Sequence, residues 1–131
     1  MFTQNAVRLL IADDDPNVLA AYVSFFNAQG YEIRTSGDGA DALAQYSSWH
    51  PKAVVLDIQM PILDGRAVAR EIRRLRATPR PVMVAITALT AASEQAESLN
   101  SGFDYHFVKP ADLPVVLAAI AADAHANDMD T

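Results

Sequence analysis

Three consecutive aspartates, Asp13, Asp14 and Asp15, follow the apolar run Val7 to Ala12, and a fourth, Asp57, follows the run Ala53 to Leu56. Asp15 stands directly before Pro16, the pattern of a helix N-cap and a first helical residue, so its carboxylate has a local task. Asp13, Asp14 and Asp57 have none. Two unit charges ~4 Å apart repel by roughly 1 kcal/mol in water and about 4 kcal/mol at an effective dielectric of 20, so a cluster of three invites a cation. All-oxygen ligation suits Mg²⁺ or Mn²⁺. Two further apolar runs are followed by Thr87 and Lys109. A hydroxyl donor and a permanent positive charge suit an anion arriving beside the cation, and a tetrahedral phosphoryl group fits that description.

The apolar runs that precede these residues alternate with helical patterns. Val7 to Ala12 reads as a buried strand, followed by a helix with Leu19, Tyr22, Val23 and Phe26 on one face and Gly30 as its stop. Tyr31 to Thr35 alternates apolar and charged residues, as an edge strand does, and Ala40 to Trp49 reads as a short helix stopped by Pro51. Gly37-Asp38-Gly39 is a turn, since Asp41 lies near where the third glycine of a dinucleotide fingerprint would fall. After the strand Ala53 to Leu56, a helix presents Val68, Ile72 and Leu75 on its apolar face. Its other face, with Arg66, Arg70, Arg73, Arg74 and Arg76, is expected to be solvated, with contact to an acidic partner as the alternative. Val82 to Ile86 is the next strand. Thr90 is expected to cap a helix whose thin apolar face is Ala92, Ala96 and Leu99 and which ends at Gly102. The strand Tyr105 to Val108 and a helix carrying Leu113, Val116, Leu117 and Ile120 complete the pattern.

Such alternation implies an α/β doubly wound domain with a parallel sheet covered on both faces, because parallel strands need crossovers and these are right-handed. Ligands of such sheets bind beyond the carboxyl ends of the strands, where Asp13, Asp14, Asp57, Thr87 and Lys109 all fall. The 131 residues suit one domain, placed at residues 1–124 with 125–131 as a frayed tail. A net charge of -6 argues against sequence-independent binding to nucleic acid or an anionic membrane. The absence of cysteine excludes disulfides, thiolate metal sites and cysteine nucleophiles. Met1 to Ala6 lacks the basic flank and apolar stretch of a signal peptide, and no apolar run approaches the roughly 20 residues that span a bilayer. Cytoplasm is the expected location.

The segments Leu-Leu-Ile-Ala-Asp13-Asp14-Asp15-Pro, Val-Val-Leu-Asp57-Ile-Gln-Met-Pro61, Asp64-Gly65, Ile-Thr87-Ala88 and Phe-Val-Lys109-Pro110 closely resemble, in order and position, the receiver (CheY-like) domains of bacterial two-component response regulators. The resemblance covers residues 7 to about 122. It implies a flavodoxin-like sheet of order 2-1-3-4-5 with five helices. It further implies that Asp57 is the phosphoacceptor, supplied by a histidine kinase or a histidine phosphotransfer protein. Asp14, Asp57 and the backbone carbonyl of Gln59 would hold Mg²⁺, with Asp13 acting through water. Thr87 and Lys109 would contact the phosphoryl oxygens, and Lys109-Pro110 would be a cis peptide. In-line phosphoryl transfer asks for positioning and charge neutralisation more than covalent help. The domain would therefore be a signalling phosphoacceptor that promotes its own phosphorylation and dephosphorylation. Gln59 and Leu89 fill the two positions that tune phosphoryl lifetime in relatives. His106 stands where many relatives carry a switching Tyr or Phe; histidine is also seen there in receivers joined to hybrid histidine kinases. A downstream protein partner is implied, as is a homodimer through the face of the fourth helix, fifth strand and fifth helix. The chain would be a stand-alone regulator or a domain of a larger one.

Taken singly, these residues have plainer readings: aspartates cap helices and solvate strand ends, Thr87 satisfies itself in the core, and Lys109 is a solvated charge. His50 and His125 carry no functional expectation. An aspartyl-phosphate phosphatase of the haloacid-dehalogenase type would need a second Asp where Gln59 stands. A flavin binder would need a hydroxyl-rich loop where three aspartates stand. An unphosphorylated interaction module is the remaining alternative. Phosphorylation of Asp57 is expected to draw in the Thr87 hydroxyl and shift the helix over Ala91 to Ser101, with Leu99 as its only large apolar anchor.

Overall fold

Strands buried on both faces need unbroken apolar sequence, and the three central strands have it. In the computed structural model, which describes residues 6–129 and the side chains of 6–123, β1 (Arg8–Ala12) is buried from Leu9 onward. Every residue of β3 (Ala53–Leu56) and β4 (Val82–Thr87) is buried. β2 (Glu32–Ser36) and β5 (Tyr105–Val108) are less covered and form the two edges of a five-stranded parallel sheet of order β2-β1-β3-β4-β5. The edge reading of Tyr31 to Thr35 is thereby met, with the strand one residue later.

Helices cover both faces. α1 (Pro16–Ala28) and α5 (Leu113–Met129) pack Phe26, Val116 and Ile120 against Leu9, Ile11, Val55 and Val84. On the other face α2 (Gly39–Trp49) and α3 (Gly65–Arg74) pack Ala42, Tyr46, Val68 and Ile72 against Leu10, Val54, Leu56 and Met83. α4 (Ala92–Ser101) follows α3 on this face, yet among the described residues it adds none to either apolar layer.

Local signals explain most helix ends. The Asp15 carboxylate accepts from the Asn17 N–H and Pro16 is the first helical residue of α1; Asp38 caps α2 and Asp64 caps α3 in the same way. The expected cap at Thr90 is not found: α4 is preceded by Ala91, which makes no side-chain cap bond, and Glu94 in the first turn supplies the negative charge that a helix N-terminus favours. α5 continues to Met129, so residues 125–129, expected as a tail, extend the last helix, while 130 and 131 and the His125 side chain lie outside the described residues. Among the described residues no helix is long and apolar enough to cross a membrane.

Candidate functional site

Backbone hydrogen bonds that continue the sheet past its strands set the first functional residues in place. The Asp13 N–H donates to the Ser36 carbonyl (3.1 Å), the Asp57 N–H to that of Ala12 (3.0 Å) and the Lys109 N–H to that of Thr87 (2.8 Å). Asp13 and Asp57 are buried, Asp14 is exposed, and carboxylate oxygens of the three lie within 4.8 Å of one another. One oxygen of each buried carboxylate is held locally, Asp13 Oδ1 by the Asp15 N–H (2.9 Å) and Asp57 Oδ1 by the Gln59 N–H (3.1 Å). The other two converge on one ammonium: Lys109 Nζ is 2.7 Å from Asp13 Oδ2 and 2.8 Å from Asp57 Oδ2. Burial alone would push the lysine down, but its hydrogen bonds to Asp13 and Asp57 and their charges outweigh it and hold the ammonium well above its ordinary range. The Lys109-Pro110 peptide is cis, as the resemblance implies.

Three carboxylates around a single ammonium leave uncompensated negative charge on an oxygen-only donor set, which fits a hard divalent cation. The loop that follows Asp57 is held close by α3. A Cβ on Gly65 would run into the Asp57 carbonyl oxygen, so only glycine lets the helix start there, and its N–H donates to the Ile58 carbonyl (2.9 Å).

Thr87 is fully buried, and its hydroxyl oxygen accepts from the Leu89 N–H (3.3 Å). Its own proton is thus available to an acceptor arriving at the crevice. His106 is tethered at both nitrogens, Nδ1 lying 2.9 Å from Ser98 Oγ on α4 and Nε2 3.0 Å from the Leu89 carbonyl oxygen. The ring therefore joins α4 to the loop that carries Thr87 into the helix.

Two sequence-based expectations fail here for one reason. The apolar face assigned to α4 turns outward, Leu99 being 48% exposed, and the buried residues are Ser98 and Ser101. The arginine face of α3 is not wholly solvated. Arg66 pairs with Glu94 (2.9 Å) and donates to the Glu94 carbonyl (2.8 Å) and to Ser98 Oγ. Arg70 reaches Ser101 Oγ (3.3 Å). Arg73 binds the carbonyls of Gly102 (2.8 Å) and Pro81 (2.7 Å) and the Asp104 carboxylate (2.9 Å). Guanidinium groups thus replace apolar packing between α3 and α4. The signal was present as two matching stripes at helical spacing, Arg66-Arg70-Arg73 and Glu94-Ser98-Ser101.

A doubly wound sheet thus carries at its carboxyl ends an acidic crevice in which a lysine spans two buried aspartates, a set of side chains suited to a cation and an anion. Comparison with known proteins makes the class specific. Residues 9–121 match the model of the response regulator receiver domain, and the chain belongs to that family. It is 37% identical over 116 residues to the transcriptional regulatory protein PrrA of Mycobacterium leprae (strain TN), covering 88% of this chain and 48% of that protein. The chain thus spans about half the length of the curated relatives it matches. Among solved structures, the receiver domain protein (CheY-like) of Methanospirillum hungatei JF-1 superposes with a TM-score of 0.88 at 23% identity, covering 96% of this chain and 99% of that one. The CheX-CheY-BeF3-Mg+2 complex of Borrelia burgdorferi gives 0.81 at 27% identity, with 88% and 87% covered.

Proposed function

We propose that Asp57 accepts a phosphoryl group from the phosphohistidine of a histidine kinase or histidine phosphotransfer protein, within a receiver unit of residues 1–124, and that Mg²⁺ or Mn²⁺ serves the acidic crevice. The observation that carries this reading is the Lys109 ammonium spanning the buried Asp13 and Asp57 carboxylates beside exposed Asp14. A carboxylate oxygen of Asp57 attacks phosphorus in line, the new O–P bond forming as the P–N bond breaks and its electron pair stays on the departing imidazole. Lys109 exchanges its contact with the Asp57 oxygen for the arriving phosphoryl oxygens, and the Thr87 hydroxyl donates to them. Asp14, Asp57 and the Gln59 backbone carbonyl would hold the cation, with Asp13 acting through water, and the bound ion would offset charge on the phosphoryl group. That a similar structure, the CheX-CheY complex of Borrelia burgdorferi, contains BeF3 and Mg+2 supports a divalent cation and an anion as ligands here.

The phosphodonor has a surface to meet. Beside Lys109, a groove of about 620 Å³ is lined by Val18, Ala21, Tyr22, Pro110 and Leu113, and the loop after β3 adds Ile62, 80% exposed. On the α4-β5-α5 face, Leu99, Val108 and Val115 place one exposed apolar residue on each element, which suits a downstream protein or a second copy in a homodimer. Such a domain signals rather than turning over an outside substrate, and a phosphohistidine donor goes with a cytoplasmic location. The test is intact mass after treatment with a small phosphoramidate, with and without Mg²⁺. Wild type should gain one phosphoryl mass only with the metal, in an adduct stable to acid and labile to base, and Asp57→Asn should gain none. Equal uptake by Asp57→Asn would overturn the assignment.

A further inference from the structure

Six of the chain's ten basic residues lie in one short segment, Arg66, Arg70, Arg73, Arg74, Arg76 and Arg80, although the protein as a whole carries a net charge of -6. Arg66 is consumed in the joint between α3 and α4. The other five surround two adjoining grooves at the pole of the sheet opposite the acidic crevice, where α3 and α4 end and β4 and β5 begin. One groove, of about 410 Å³, is lined by Arg70, Arg73, Arg74 and Arg76 with Asn100 and Ser101. The second, about 260 Å³, shares Arg73 and Arg76 and adds Arg80.

The plainest account of such a cluster is that it complements helix C-termini and nearby carboxylates, and it falls short in charge. Among the described residues, Arg73 pairs with Asp104 and Arg74 with Glu71, and Arg80 shares Asp104. Each of the two helix C-termini contributes about half a negative charge. Leaving Arg80 aside, the other four guanidinium groups face at most about three negative charges from the described residues. Arg70 and Arg76 form no ion pair with any described residue, and both are exposed. Between Arg74 and Arg76 stands Leu75, 56% exposed, an apolar side chain surrounded by cations.

We infer that this pole is a docking surface for an acidic protein segment with an aliphatic anchor. Charge complementarity selects an anionic partner, and the protein's overall negative charge opposes a nucleic acid, whose phosphates extend well beyond so small a patch. Leu75 favours a polypeptide over a free anion, because a leucine among arginines gains only from an apolar partner that the charged rim then orients. Docking here leaves the Asp57 crevice open, since it lies at the other end of the strands. The site therefore serves a partner that can be bound before, during and after phosphoryl transfer.

The probe is a fluorescein-labelled dodecapeptide repeating Glu-Glu-Leu, compared by anisotropy with its Glu→Gln and Leu→Ser versions and with a labelled twelve-base-pair DNA duplex. Proteins are wild type, Arg70→Glu/Arg76→Glu, Leu75→Ser, and Arg34→Glu on the distant edge strand as a control. The Glu-Glu-Leu peptide should bind wild type and Arg34→Glu alike, at least about tenfold more weakly to the double variant, and about threefold more weakly to Leu75→Ser. Phosphoramidate uptake, measured on the same samples, should match wild type in each variant, which separates this surface from the Asp57 site, and a thermal midpoint above the assay temperature shows that each variant is folded. Unchanged affinity in the double variant, equal binding of the leucine-free peptide or the duplex, or no binding to wild type up to about 1 mM would each overturn the proposal.

Discussion

α5 and α4 flank the same edge strand and are held to the molecule by opposite means. α5 buries Val116 and Ile120, both fully covered, in a layer with Leu9, Val55 and Val84. α4 buries Ser98 and Ser101 and turns Leu99 to solvent. Apolar burial is non-directional and is lost in proportion to the area exposed, so a helix held that way resists every displacement. Hydrogen bonds and ion pairs depend on distance and angle and can be exchanged for others of similar strength. Of the two helices, α4 is therefore the one whose attachments can be exchanged for others of similar strength.

The comparison breaks most readily at its apolar side. Ile120→Ala should cost about 3 kcal/mol by urea unfolding, while Leu99→Ala should stay within about 0.5 kcal/mol. Similar losses at the two sites would mean that α4 packs as α5 does. Next in size, Arg73→Met should cost about 2 kcal/mol, since it strips partners from the Gly102 and Pro81 carbonyls and from Asp104 at once. A loss as small as that of an exposed arginine would show that water substitutes for the guanidinium.

Lys109 extends the contrast to the crevice. Its ammonium is stabilised by folding relative to its ordinary value of 10.5, so its contribution is fully present below that pH and is lost as pH rises through the higher folded value. Buried Tyr22 and Tyr46 and half-buried Tyr31, whose hydroxyls desolvation pushes up, add to the same alkaline loss. The difference in unfolding free energy between wild type and Lys109→Met, in chelator, should therefore hold steady up to about pH 10 and shrink above it. A difference that grows with pH would refute the sign. A loss of only about 1 kcal/mol is expected for Ser98→Ala, but with amide exchange accelerated in α4 and unchanged in α5.

The strands and the acidic crevice were legible because their rules are local: parallel strands read as apolar runs, and the residue after each run sits at the carboxyl edge, whereas the sheet order came only with the family resemblance. Asp15 and Pro16 announced the start of α1 in the same local way. α4 was misread because its inner surface is polar and is completed by side chains some thirty positions away, as Arg66 with Glu94 and Ser98. A rule that assigns apolar residues inward has no means of seeing arginine as the packing partner. The Thr90 cap failed similarly, a favourable residue type standing one position too early for a helix that begins at Ala92.

The contacts of Ser98 have a consequence for reversibility. A carbonyl only accepts, so the Leu89 oxygen requires the His106 Nε2 to carry hydrogen; in the neutral ring Nδ1 is then an acceptor, and the one Ser98 proton goes to it. Arg66 donates to the serine, the serine to the histidine and the histidine to the loop, so every donor in the chain points the same way. The serine does not depend on the ring alone, because the Glu94 carbonyl stands 3.1 Å from the same hydroxyl as a second acceptor. Rotation of one hydroxyl therefore moves the Ser98 proton between the ring and the Glu94 carbonyl without leaving the serine unpaired, and the reverse rotation restores the first arrangement.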